Sequence, residues 1–536
     1  MGRISRRAIV TGVAAAAGVA AVARVMPGRG ATGQEQARRV LVIATANDIN
    51  NLDPHTNADE PTTFLLRNVY DALVRVEADP PRIVPQLARA WEVSADGLEY
   101  VFRLNPAARF SDGSPVSAHA VAYSIERLLR IRKGNAWMIA GIIEPGGVQP
   151  VDATTVRMRL ARPFGPLLQV LPWIWIVNPA QVEPNKGNDD GQTWLRAHLA
   201  GSGPFQLRRA ESGNLYELRR TATDWRDESG NATGVILKVV RESASQRLMV
   251  QRGDAHIAVN LSNDDIAALQ GRSRVNLVVK PELRTFMFRM NTKHGPLADV
   301  ALRKAVSWAV DYQAMLDVAV YARPAYGPLP QAMFGFDKSL PPRAMNLERA
   351  HEYMARIDTR GQPLALRAAY ISGYEQQRRW CLVLLDSLKK LGITLDVRAM
   401  TWPDLVASAR RPETCPDFFS MFTSVNYADP ADVSFNHYHS SRVGNWSNPT
   451  YANPAVDALI ERGRSELDPA RRNEIYIEFQ RRVLDDSPDL FISTDVRKLA
   501  FRRSVQGFTY TPIRPGAFDL APLSLEPADS AQARDA

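Results

Sequence analysis

Two histidines one residue apart, His437 and His439, come nearest to a metal site in this chain. On a strand the pair would share one face and offer two imidazoles to one ion. No third ligand is placed beside them, so no metal is assigned, although the pair keeps nickel open as a cargo. Gly28, Gly30 and Gly33 spell G-x-G-x-x-G. A dinucleotide site needs a strand before that run and a helix after it, and neither is expected here. The sequence contains no G-x-S-x-G, H-E-x-x-H or Walker pattern, and its paired carboxylates are spread too widely to discriminate anything. No catalytic residue and no cofactor is therefore assigned, and a secreted hydrolase stays only as the alternative of a different class. Cys381 and Cys415 allow at most one disulfide. Cys381 lies in the apolar helical run WCLVLLDSLKKLGI and reads as a small core residue.

The elements that would position any site are best defined between residues 285 and 316. The stretch TFMFRMN alternates bulky apolar residues (Phe286, Phe288, Met290) with Met287 and Arg289, the period of a strand with at least one buried face. Pro296 delays the following helix, Asp299 caps it, and Leu302, Ala305, Val306, Ala309 and Val310 make one apolar stripe. Further upstream, VLVIAT (40–45) is a strand, Asn51 to His55 a turn, and 62–73 a helix. Asp53 and His55 are read as turn residues. Two short strands joined by Asp96-Gly97 precede a second turn at Asp112-Gly113 and a helix capped by Ser117. Residues 148–160 read as a hairpin, and 235–259 as strand, helix, strand. Downstream, the strand 364–370, the helix around Leu382 to Leu388 ending at Gly392, and the strand 393–400 give a β-α-β order, an α/β arrangement with a right-handed crossover. A charged helix is expected over 461–485, broken at Asp468-Pro469.

Composition allows two or three domains in 536 residues, with 45% hydrophobic and 23% charged residues. The formal charge of +9 owes much to the first thirty residues; the rest holds 61 basic against 57 acidic residues. No single-sign block argues for nucleic acid. The start reads as a targeting segment: Arg3 to Arg7, then an alanine-rich apolar stretch from Ala8 to Ala23. Its paired Arg6-Arg7 resembles a twin-arginine export signal, and no cysteine marks a lipoprotein. A freely soluble periplasmic protein is expected.

Several motifs together resemble one family. Asn291, Pro296, Asp299, Arg303, Ala305, Ala309 and Asp311 fit its R-x-A-x-x-x-A-[IV]-D helix. Pro85 to Ala88, Trp91 to Ser94, Asp96-Gly97, Tyr100 to Leu104 and Phe110 to Val116 follow its signature region, and Gly201 to Phe205 its G-T-G-P-[FY] turn. Gly253 to Ala258 follows its G-[ED]-x-D-[IV]-A step, with His256 where aspartate is usual. The chain thus resembles the extracytoplasmic solute-binding proteins of ABC transporters, dipeptide/oligopeptide/nickel-binding family (family 5). The resemblance implies an α/β, periplasmic-binding-protein-like fold: two α/β lobes joined by a hinge, with an extra N-terminal subdomain inserted in the first lobe. The implied division is 1–39 signal and N-terminus, 40–82 lobe I, 83–200 inserted subdomain, 201–290 lobe I, 291–499 lobe II, 500–526 lobe I again, and 527–536 a tail.

The implied function is capture of a peptide or peptide-like solute in the interlobe cleft, for delivery by a monomer to a membrane permease and its ATPase, without chemistry. The ligand-binding residues it suggests are Trp402, directly after a strand; Asn426, Tyr427 and Asp429 in the loop SVNYADP, similar to W-x-x-D-Y-x-D-P; and Trp446 in the segment after it. Asn426 stands where peptide binders of the family have the aspartate that pairs with the ligand's α-amino group. An amide brings no charge to that position, which leaves blocked peptides, opines, sugars or a metal complex open as cargo. Asp429 is expected to shape the loop.

Overall fold

The computed structural model describes residues 39–49, 51–57, 59–226, 230–359, 361–513 and 518–526. The targeting segment and the final ten residues lie outside them. The strands are, in order, β1 (Val40–Thr45), β2 (Val74–Glu77), β3 (Arg82–Pro85), β4 (Ala88–Val93), β5 (Glu99–Leu104), β6 (Ile143–Pro150) and β7 (Thr155–Leu160). They continue with β8 (Phe205–Glu211), β9 (Leu215–Arg220), β10 (Gly234–Val239), β11 (Ile257–Ala258), β12 (Val275–Met290) and the short β13 (Arg323–Pro324). The last are β14 (Ala365–Ile371), β15 (Thr394–Met400), β16 (Phe418–Ser424) and β17 (Asp489–Arg502).

A mixed eleven-stranded sheet runs β15-β14-β16-β12-β17-β11-β1-β10-β9-β8, with β13 paired to β17. Its two halves meet at the long antiparallel pair β12 and β17. Residues 275–281 of β12 pair with 496–502 of β17, on the side that carries β11 and β1. Residues 284–290 pair with β16 on one flank and with the start of β17 on the other. The β12–β17 register breaks between Pro281 and Thr285. Proline brings no ladder N–H, which fits a break in the register there. Each half is an α/β lobe. In the second, β14, the helix Glu375–Lys389 and parallel β15 form the expected crossover unit. A separate four-stranded antiparallel sheet, β4-β5-β7-β6, lies within the first part of the chain under the helix Ala118–Ile131.

Alternation along β12 divides its side chains between two cores. Phe286, Phe288 and Met290 enter the second lobe's core with Leu302, Val306, Trp380, Leu384 and Leu388. Met287 faces the other cluster, with Phe419 and Met421 of β16. Trp380 stacks on Phe286, centroids 3.7 Å apart, and its indole N–H donates to the Met315 carbonyl at 2.8 Å, so the buried polar handle is satisfied. The helix Val300–Ala309 starts where expected, with the Asp299 carboxylate accepting from the Ala301 N–H at 2.7 Å.

Two expectations are corrected, and the state of the two cysteines is settled. The helix expected over 62–73 is Glu60–Leu66. Asn68 ends the continuation by donating its side-chain amide to the Phe64 carbonyl at 2.8 Å while its carbonyl oxygen accepts from the Leu520 N–H at 2.9 Å. Beyond it, the buried Asp71 carboxylate turns aside to pair with Arg226 and Ser202. His437 and His439 are not on a strand: they close the helix Pro430–Tyr438, where positions two apart point to different faces. Cys381 and Cys415 are both free, buried thiols, in different clusters, and burial pushes both up to about 12.

Candidate functional site: the cleft between the lobes

The second lobe's contribution begins where β15 ends. Thr401 caps the helix Trp402–Ser408, leaving Trp402 at its first position and 41% exposed. Trp446, 38% exposed, lies edge-on to it with centroids 5.4 Å apart. Large exposed aromatic pairs offer rigid apolar contact to a partner. Behind Trp446 sits His437, centroids 6.4 Å apart. That imidazole is buried, takes a hydrogen bond from the Arg289 guanidinium at 2.9 Å, and is held neutral by burial and by that cation. Among the described residues no group of three potential metal ligands forms.

The loop between β16 and the helix Pro430–Tyr438 holds the other three residues. Asp429 is buried. It caps the helix through the Ala431 N–H at 2.8 Å and receives a bidentate pair from Arg472, at 2.7 and 2.5 Å. Its carboxylate is therefore committed within the fold. Tyr427 is buried, and its ring meets Trp137, which is 44% exposed, at 6.5 Å. Trp137 comes from the 3-10 turn Gly134–Met138, so this contact joins segments about 290 residues apart in the chain.

Asn426 is exposed and held from behind by Asp432, in the first turn of the helix. The Asp432 carboxylate accepts from the Asn426 backbone N–H at 2.5 Å, its side-chain amide at 3.0 Å, and the Asn436 amide at 2.8 Å. Because the Asn426 amide nitrogen donates to Asp432, its carbonyl oxygen points away as an acceptor. Burial raises the Asp432 carboxyl to about 6, against the lowering effect of these hydrogen bonds. The carboxylate that the sequence motif lacks at position 426 is thus present one shell behind it.

The lobes also touch at the rim. The Gly165 N–H donates to the Arg464 carbonyl at 2.8 Å, and Arg162 approaches Glu461 at 3.5 Å. A Cβ on Gly165 would lie 2.6 Å from the Glu466 carbonyl oxygen, so only glycine permits this approach. Within the first lobe, Asp53 and His55 do more than turn the chain. The fully buried Arg127 holds Asp53 through bonds of 3.0 and 2.8 Å and reaches His55 at 2.9 Å, locking the opening loop to the helix Ala118–Ile131.

The sequence reading missed Trp137, Asp432, Arg127 and Arg472. A tryptophan in the polar run KGNAW was a usable signal for the first. Nothing local marked the arginines, whose partners lie 74 and 43 residues away.

Two α/β halves of one mixed sheet, joined through the β12–β17 pair, define the class of fold. The chain belongs to the bacterial extracellular solute-binding proteins, family 5, whose middle-region model matches residues 82–445. It is similar to the probable D,D-dipeptide-binding periplasmic protein DdpA of Escherichia coli (strain K12), 29% identical over 90% of this chain and 94% of that one. Two solved structures share the fold. HbpA2 from Haemophilus parasuis aligns with a TM-score of 0.80 at 21% identity, covering 91% of this chain and 100% of that one. The periplasmic binding protein DppA from Helicobacter pylori, in complex with peptide STSA, aligns with a TM-score of 0.75 at 20% identity, covering 92% and 100%.

Proposed function

We propose that the protein captures a short peptide with a free α-amino group in the interlobe cleft and hands it to an ABC permease and its ATPase. The observation that carries this reading is the pairing of Asn426 with the buried Asp432. An ammonium entering the cleft loses water and needs both an acceptor and a nearby negative charge. The Asn426 carbonyl oxygen supplies the acceptor, and the carboxylate behind it supplies the charge. The uncharged amide at position 426 is thereby backed by an anion. The similar protein DdpA is described as a probable binder of D,D-dipeptides, which are also short peptides.

On this reading Trp402, Trp446 and Trp137 line the peptide's path, Tyr427 supports Trp137, and Asp429 holds the loop. The cleft performs no chemistry on its ligand. No described helix is long and apolar enough to cross a membrane. The N-terminal segment acts as a twin-arginine export signal, and the mature protein works in the periplasm as a monomer. Native mass spectrometry of protein purified without denaturation tests the reading. A retained peptide carrying a free amine is expected. Recovery of a sugar, a metal complex or only N-blocked peptides would overturn it.

A further inference from the structure

A cavity of about 610 Å³ has none of Trp137, Trp402, Asn426, Tyr427, Asp429 or Trp446 in its described lining. Its described lining comes from residues 67–105, 172–175, 204–226 and 509–522, none of them in the second lobe. The volume is within the range of small-molecule sites. Three buried N–H donors around it have no acceptor: the indole nitrogens of Trp173 and Trp225 and the Arg75 Nε. Trp173 is itself 3% exposed. Buried donors without partners are uncommon in folded proteins and carry a desolvation cost until an acceptor arrives.

The charge around the cavity points the same way. Five arginines face two carboxylates among the described lining residues. Arg67 is neutralised by Asp519 at 2.7 Å, and Arg226 by Asp71 and Asp224. Arg75 and Arg82 share one carboxylate, Glu77, at 3.1 and 3.0 Å. Arg89, exposed on β4, forms no ion pair among the described residues. The surplus is positive, at the open side, while the orphan donors are buried. An apolar ligand would leave all three donors unsatisfied. A cation would meet the arginine excess.

We propose that this cavity is a second binding site, for a small multivalent oxyanion bearing carboxylate or phosphate groups. Its acceptor oxygens pair with Arg75, Trp173 and Trp225, and Arg89 draws it in. The site sits within the first lobe and its inserted sheet, so its occupancy is independent of the peptide cleft.

The test titrates the full-length mature protein with citrate and with pyrophosphate, at constant ionic strength set by potassium chloride, by calorimetry and tryptophan fluorescence. Saturable one-to-one binding of at least one anion is expected. Preference between the two identifies the carboxylate or the phosphate source. Trp225→Phe removes one N–H and keeps the ring; it should weaken binding about tenfold. Arg89→Gln, an exposed change that leaves the fold intact, should weaken it by a similar factor. Trp446→Phe, in the cleft, should leave anion binding unchanged, which separates this site from the peptide reading. Absence of saturable binding at matched ionic strength, or equal affinity in wild type and both cavity variants, would overturn the proposal.

Discussion

Replacing Asp432 by asparagine removes one charge while keeping the side chain's size. The Asp432 oxygen lies 3.0 Å from the Asn426 amide nitrogen. An ammonium bound to the far, carbonyl side of that amide stands roughly 6–7 Å from the carboxylate, allowing about 2.8 Å for its own hydrogen bond. At an effective dielectric of about 20, that separation is worth about 2–3 kcal/mol. Asp432→Asn should therefore weaken a free-amine dipeptide roughly 30- to 150-fold. The N-acetylated dipeptide lacks the ammonium and should lose less than about threefold by the same reasoning. Proton linkage gives a second arm. Burial raises the folded carboxyl from 3.8 to about 6, so below pH 6 the wild type loses the charge by itself. Its affinity for the free amine should fall as pH drops through 6, and that slope should vanish in Asp432→Asn. The sign for stability is opposite. The folded state holds this proton more tightly than the unfolded chain, so this group's contribution to stability declines as pH rises from about 4 to about 6. Isothermal titration at pH 7.5 and pH 5, with melting curves alongside, measures both. Equal losses for the two dipeptides, or no loss for either in a folded variant, would refute the reasoning.

Arg472→Met leaves Asp429 buried and uncompensated, and should cost about 3–5 kcal/mol in chemical denaturation. Trp380→Ala should cost about 3–5 kcal/mol, because the ring is packed in the second lobe's core, whereas the half-exposed Trp402→Ala should cost about 0.5 kcal/mol or less and weaken cleft ligands instead. Burial and Arg127 lower the His55 imidazole to about 4, so stability from its neutral form is present above pH 6.5 and lost as pH falls towards 4. That loss should reach about 3 kcal/mol, and the stability gap between wild type and His55→Gln should narrow over the same window in pH-dependent melts.

Local chemistry carried most of the fold into the sequence. Asp299 and Ser117 each cap the helix they were expected to cap, because a short polar side chain before an apolar stripe answers to nearest neighbours alone. The alternation at Phe286, Phe288 and Met290 marked a strand buried between layers. Errors arose where distant partners override local preference. Asn68 stops a helix through a bond to Leu520, 452 residues on. His437 and His439 have the spacing of one strand face, yet Asp429 and Pro430 start a helix that holds His437 and leaves His439 as the residue just past its end. The site was half legible. Trp402, Asn426, Tyr427, Asp429 and Trp446 come from two strand ends and a turn, but only folding brings Trp402 against Trp446 and sets Trp137 on Tyr427. Asp432 was not legible beside Asn426, since a partner six residues away reaches it only once the helix forms.

The most direct test is a crystal structure of the protein with a bound free-amine dipeptide. The account expects an intact peptide between the lobes, its ammonium within about 3.2 Å of the Asn426 carbonyl oxygen and its side chain against Trp402 or Trp446. A cleaved peptide, or one bound away from the gap bridged by Trp137 and Tyr427, would contradict it.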